Sequence, residues 1–240
     1  MKKEVLGIAF DDLTREEAAQ AGAALLEEDK FHYVVTPNPE FILAAEKDRE
    51  FRQVLNGADL VLPDGIGVVY SAKIQGTPLK GRVPGIEFAE DMLACLDRRG
   101  GRLYLLGAKP GVAEKAAKKL QAQHPGLRIA GTRDGYFQED APVVEAIRES
   151  GADVVFVCLG APKQEKWMKK NGEATGAKLL LGIGGALDVF SGEVKRAPRA
   201  FQKLGLEWFY RLITNPSRAG RMMKLPLFLV HVAKEKRRRK

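Results

Sequence analysis

The chain reads as an α/β protein with a mostly parallel sheet flanked by helices, followed by a helical C-terminal appendage. Three observations predict this. Apolar, β-branched runs recur over roughly the first 190 residues, each meets Gly or Pro, and each leads into a helical pattern. The runs are continuously apolar, as strands buried on both faces are. After about residue 192 the pattern changes to helical periodicity with many basic residues.

In chain order, HYVVTPNPE (32–40) leads into FILAAEKDREFRQVL, and ADLVLPDGIG (58–67) leads into VVYSAKIQ. GRLYLLGAKPG (101–111) leads into VAEKAAKKLQAQ, and ADVVFVCLGAPKQE (152–165) into KWMKKN. AKLLLGIGGALDVF (177–190) is the last strand candidate. In open α/β sheets of the Rossmann-like type, ligands bind beyond the carboxyl ends of the strands. The segments TPNPE, PDGIG, GAKPG, GAPKQE and GIGGALD should therefore gather on one rim. Beyond them, LGLEWFYRLI (204–213) has helical periodicity. TNPSRAGRMMKL reads as a new helix, with Asn215 as N-cap and Pro216 at the first helical position. The expected division is an α/β core at 1–194 and a basic helical appendage at 195–240.

Size and composition agree with a soluble protein of one large domain plus an appendage: 240 residues, 45% hydrophobic and 29% charged. Cys95 and Cys158 are far apart and form no CxxC, which predicts a reducing compartment and no disulfide framework. His32, His124 and His231 are scattered, without metal-ligand spacing. The N-terminal MKKEVLGIAFDDLT lacks the long apolar region of a signal peptide. LPLFLVHVA (225–233) falls far short of the ~20 residues a transmembrane helix needs. The net charge is +8, unevenly spread. From Lys195 to Lys240, fourteen Lys/Arg face two acids, Glu207 and Glu235, so this segment carries +12 and the remainder −4. Such a tail suits an anionic partner: membrane lipid, phosphorylated substrate or nucleic acid.

Several residues invite chemistry, each beside a plainer reading. Asp64 sits in VLPDGIGVV, an acid inside an apolar run, and is either a turn aspartate or a general base. GIGGAL (182–187) places Leu187 where a dinucleotide loop needs its third glycine, so it is a backbone approach to a ligand or simply part of a strand. LLGAKPGVAEK offers a helix N-terminus to an anion, or is a tight turn. Gln164 falls at a helix start, where it could bond a sugar or phosphate, while Glu165 beside it favours the helix dipole. Arg218 and Arg221 share a helix face, and Arg211 precedes them. The three can converge on a diphosphate or form a solvated basic face. KRRRK at the end reads as an electrostatic membrane-surface anchor. No D-x-D motif occurs, which argues against a carboxylate-bound metal at a sugar-nucleotide site.

Together, TPNPEF, ADLVLPDGIGVV, LLGAKPGVAEKAA, GTRDGYF, FVCLGAPKQEKWM, GIGGALDVFSGEVKRAPRAFQKLGLEWFYRL and NPSRAGR resemble the WecG/TagA/CpsF family, glycosyltransferase family 26, nearest its teichoic-acid branch. The resemblance spans about residues 5–224. It implies a bacterial, inverting, metal-independent transferase with no cofactor. The donor would be UDP-N-acetylmannosamine, or another UDP-sugar such as the uronic acid UDP-ManNAcA or UDP-glucose. The acceptor would be a lipid-linked diphosphate, undecaprenyl-diphosphate-GlcNAc, on the cytoplasmic face of the membrane. It also implies a homo-oligomer that opens at the membrane for catalysis. Carried over by motif, Asp64 matches the catalytic base, with Thr36 and Asn38 lining its pocket and Gln164 as a polar active-site residue. Arg211, Arg218 and Arg221 match the arginines that bind diphosphate. Asp134 and the GIGGALD loop, with Gly184, Gly185 and Asp188, match the nucleotide side. RVPGIEF (82–88), read as a loop, departs from the family pattern at Pro84 and Ile86, which leaves the exact sugar open.

Two readings from other classes compete. A nucleic-acid-binding module would use the basic tail, but its arginines alternate with LEWF and LPLFLV, which suit a bilayer surface or core packing as well as base stacking. An NAD-linked oxidoreductase is disfavoured by the missing third glycine.

Overall fold

The structure is a computed structural model, and it describes residues 1–203, 206–214 and 224–238. It opens on an antiparallel pair, β1 (Lys2–Val5) and β2 (Ile8–Asp11). Helix α1 (Arg15–Leu25) follows, started by a capping box in which Thr14 accepts from the Glu17 N–H and Glu17 accepts from the Thr14 N–H. The main sheet is built from β3 (His32–Val35), β4 (Leu60–Val61), β5 (Arg102–Gly107), β6 (Arg128–Arg133), β7 (Val154–Cys158) and β8 (Leu179–Gly182). Its order is β4-β3-β8-β7-β5-β6, and every described pairing is parallel.

The helices between the strands are α2 (Pro39–Lys47), α3 (Arg49–Asn56), α4 (Ile66–Gln75), α5 (Gly85–Arg99), α6 (Val112–Gln123), α7 (Asp140–Ser150), α8 (Lys163–Asn171) and α9 (Ala186–Phe190). The C-terminal part adds α10 (Arg199–Lys203), α11 (Glu207–Thr214) and α12 (Lys224–Arg238).

Side-chain alternation sends the sheet's residues into two cores. On one face, Tyr33, Val35, Val61, Leu106, Val155, Val157 and Leu180 pack with side chains of α2, α3, α4, α7, α8 and α12. On the other, Val34, Leu60, Leu62, Leu105, Phe156, Leu179 and Leu181 pack with α1, α5, α6 and α9. This is the predicted α/β layering with a buried parallel sheet. Helix α12 takes part in the first core: Phe228 and Val232 are fully buried in it.

Some elements differ from the sequence reading. FILAAEKDREFRQVL is two helices, broken at Asp48, which closes α2 and caps α3 by accepting from the Phe51 N–H. The last strand candidate is strand only to Gly182, after which Ala186–Phe190 turn helical. RVPGIEF is loop only to Pro84, and Gly85–Phe88 form the first turn of α5. Pro226 lies within the first turn of α12, where a proline has no intrahelical N–H bond to break. The helix start expected at Asn215 and Pro216 lies outside the described residues.

Candidate active site at the carboxyl rim

Strand register brings the predicted loops together. Val35 of β3 pairs with Val61 of β4 and with Gly182 of β8, and Gly182 pairs with Val157 of β7. Cys158 pairs with Gly107 of β5. The strands therefore end at one level. Thr36–Asn38, Leu62–Gly65, Ala108–Gly111, Leu159–Pro162 and Ile183–Gly185 follow them along one edge.

The PDG segment is fixed by backbone bonds on both sides. Leu62 N–H donates to Val35 O (2.9 Å), Asp64 N–H to Pro37 O (3.1 Å) and Val83 N–H to Pro63 O (2.9 Å). Gly65 has φ +95°, a conformation that side chains rarely adopt, and it turns the chain directly into α4. Asp64 thus stands between the end of a buried strand and a helix N-terminus that has no side-chain cap.

Thr36 is buried, and its hydroxyl donates to Gly182 O (3.1 Å), tying β3 to β8 at the rim. The start of α5 presses on it: a Cβ at Gly85 would lie 2.7 Å from Thr36 Oγ1. Asn38 caps α2, with Oδ1 accepting from the N–H groups of Glu40 (2.8 Å) and Phe41 (3.3 Å). What Asn38 offers a ligand is therefore its amide N–H.

Gln164 lies beneath the rim, 1% exposed. Its Oε1 accepts from the N–H groups of Gly160 (3.3 Å) and Gly184 (3.2 Å), and its Nε2 donates to Glu165 Oε1 (2.5 Å). Gly185 is exposed at the start of α9, and its position lies close to the Asp188 carboxylate. The Asp188 carbonyl accepts from Ser191 Oγ (3.1 Å) and from the Val194 N–H (2.9 Å).

Asp134 stands apart from this group. It follows β6, at the sheet edge opposite β4, and its Oδ1 accepts from the Tyr136 N–H (2.8 Å). Five strand spacings separate the two edges, roughly 24 Å. The structure thus brings Asp64, Thr36, Asn38, Gln164, Gly184, Gly185 and Asp188 onto neighbouring strand ends, and Asp134 onto the far end of the same rim. Arg211 is in α11. Arg218 and Arg221 lie outside the described residues.

The C-terminal part is tied to the rim by charges that no sequence motif singles out. Arg82, next to Val83, pairs with Glu207 of α11 (2.9 Å) and donates to Gln202 O (2.5 Å). Arg196 pairs with Glu87 (2.5 Å) and Glu90 (3.2 Å) of α5. Their spacing in sequence exceeds 100 residues, so no local pattern signals them.

Two buried groups define the electrostatics below the rim. The Cys158 thiol is pushed up to about 12 by burial, so it is no nucleophile at neutral pH. Burial likewise pushes the Glu165 carboxyl up to about 7, although the Gln164 bond acts the other way. An acid whose folded pKa lies above its unfolded value holds its proton in the native state. Raising the pH from 4.5 through about 7 therefore penalises the folded chain progressively, and the penalty is complete above that range. Glu165→Gln removes this titration. Its stability relative to wild type should rise as pH climbs through that window, as measured by urea unfolding at a series of pH values. A pH-independent difference would contradict it.

Among the described residues, no group of three or more His, Cys, Asp or Glu side chains is placed to hold a metal ion. Nor is any described helix long and apolar enough to cross a membrane.

An open parallel sheet whose polar side chains and glycine turns collect on its carboxyl edge is the arrangement in which α/β proteins generally bind their ligands. Comparison with known proteins makes the class specific. Residues 3–240 match the Glycosyl transferase WecG/TagA/CpsF family, and the chain belongs to that family. A protein of Bacillus subtilis (strain 168) is 40% identical over 207 residues, covering 86% of this chain and 81% of its own length. One from Staphylococcus aureus (strain MRSA252) is 34% identical over 240 residues, covering 99% and 94%. Both are named N-acetylglucosaminyldiphosphoundecaprenol N-acetyl-beta-D-mannosaminyltransferase.

Proposed function

We propose that this chain transfers N-acetylmannosamine from UDP-ManNAc to the 4-hydroxyl of undecaprenyl-diphosphate-linked GlcNAc, with inversion and without a metal. The product would feed teichoic-acid or related cell-surface polymer synthesis. The observation that carries the reading is the near full-length similarity to relatives named for this transfer. The position of Asp64 beside Thr36 and Asn38 supports it.

In the proposed step the acceptor oxygen attacks the anomeric carbon from the face opposite UDP. A C–O bond forms as the bond to the diphosphate breaks, and the hydroxyl proton passes to Asp64. Arg211, Arg218 and Arg221 would offset the charge that develops on the departing UDP. Gly184, Gly185, Asp188 and Asp134 would contact the nucleotide. The basic C-terminal part would hold the enzyme on the cytoplasmic face of the membrane, where its lipid acceptor resides, as a homo-oligomer that opens there.

The test is a UDP-sugar panel with a short-chain lipid-diphosphate-GlcNAc acceptor. UDP release is expected only with UDP-ManNAc and acceptor together, and it should persist in EDTA. Release with UDP-ManNAcA or UDP-glucose in its place would move the donor assignment within the family. Strong inhibition by EDTA would contradict the metal-free mechanism.

A further inference from the structure

Glu165 is fully buried, yet only one of its carboxyl oxygens is used. Oε1 accepts from Gln164 Nε2, while Oε2 has no hydrogen-bond partner. A buried carboxyl oxygen without a partner costs stability, and an apolar side chain of similar size would avoid that cost. The position therefore carries a destabilising group, and its side-chain bond to Gln164 shows what it does there.

Gln164 Oε1 receives two backbone N–H groups from different loops, Gly160 after β7 and Gly184 after β8. Only one orientation of the amide permits this. In the other, an NH2 group would face two N–H donors and the amide oxygen would face a carboxyl oxygen. Glu165 gives the Nε2 end its partner and selects the productive orientation. It does so whether or not it is protonated, because its C=O oxygen accepts in both states. Gly182 makes room for the pair. A Cβ there would lie 3.1 Å from Gln164 Nε2 and 3.4 Å from Glu165 Oε1. The carbonyl of the same Gly182 receives Thr36 Oγ1. One glycine thus joins Thr36, Gln164 and Glu165 under the rim.

We infer that Glu165 is a positioning residue: it orients the Gln164 amide so that a single oxygen clamps the Gly160 and Gly184 loops into the shape the sugar-nucleotide site needs. This rests on the reading of the rim as the transferase site.

The test compares Glu165→Met, which keeps the length but offers only a weakly accepting thioether sulfur, with Glu165→Gln, which keeps an acceptor oxygen for Gln164 Nε2. Backbone amide exchange at Gly160 and Gly184 is read in full-length protein without substrate. Turnover is read with UDP-ManNAc and the lipid-diphosphate-GlcNAc acceptor. In Glu165→Met both amides should exchange about tenfold faster, as the loss of roughly one hydrogen bond implies. Its kcat should fall about 10- to 100-fold, as small misplacements in a site produce, while its melting temperature stays at or above that of wild type. Glu165→Gln should restore slow exchange and turnover. Wild-type exchange and kcat in Glu165→Met would overturn the inference, as would a Glu165→Gln variant that loosens both glycines. If the Met variant does not fold, the Gln variant still decides by the second criterion. Absence of transfer by the wild-type enzyme would refute the proposed function, whereas amide exchange would still show whether Glu165 orients the clamp.

Discussion

Asp64→Asn is expected to lower kcat by about 10²–10⁴-fold, the range a positioned general base contributes. That corresponds to about 3–5 kcal/mol of lost transition-state stabilisation. Asparagine keeps nearly the shape of aspartate and one of its side-chain oxygens, and three constraints on the loop come from the backbone. Asp64 N–H to Pro37 O, Val83 N–H to Pro63 O and the turn at Gly65 do not depend on the carboxylate. The variant should therefore fold and melt close to wild type, and KM for donor and acceptor should change little. Loss of kcat with KM unchanged marks an interaction made only in the transition state. If the variant turns over within a few fold of wild type, Asp64 is a turn residue and the base must be sought elsewhere on the rim. If it melts much lower, the carboxylate holds the loop in place, and the rate loss could not be assigned to proton transfer.

The central strands are legible in the sequence because their physics is local. YVV, LYLLG, VVFVC and LLLG are continuous apolar runs, and these are the strands buried on both faces. The loops that follow them are legible for the same reason, since Gly and Pro mark where a buried strand must turn. Other elements lack that signal. The edge strand β6, RIAGTR, is only half-buried, and the β1–β2 pair begins KKE. Helix α5 is hidden because Pro84 and Gly85 suggest a loop, although Phe88, Met92 and Leu96 bury one stripe of it. The site is legible to the extent that it follows strand ends. Asp64 and Thr36 do, whereas the distance to Asp134 depends on strand order, which no local pattern records. Glu165 at a helix start suggests a dipole contact, and only the packing of α8 onto β8 reveals that its carboxyl is buried. Arg82–Glu207 and Arg196–Glu87 join residues whose nearness the fold creates.

Phe228→Ala should have the largest effect on stability, about 3–5 kcal/mol, the usual cost of emptying a buried phenylalanine site. At roughly 2–4 °C per kcal/mol for a chain of this size, the melting midpoint should fall by about 6–20 °C. Phe228 is fully buried in the same core as Val68 and Ala72 of α4 and Ile42 and Ala45 of α2, with Val232 one turn further along α12. A bond between His231 and Glu46 (2.8 Å) adds an exposed contact of small worth. The basic end of the chain is thus carried by a helix that completes the core. The candidate active site should be affected too, because α4 begins directly after Asp64 and Gly65. Loosening α12 removes the cover from α4, whose first turn fixes the direction in which the Asp64 loop leaves the sheet. Phe228→Ala should therefore lose kcat at temperatures where it is still folded, and it should lose it before the main unfolding transition on warming. An exposed substitution on the same helix, Val230→Ala, should do neither, since Val230 is 54% exposed. A midpoint unchanged by Phe228→Ala would mean that α12 unfolds separately from the core. Unchanged activity right up to the transition would mean that α4 holds the Asp64 loop without it.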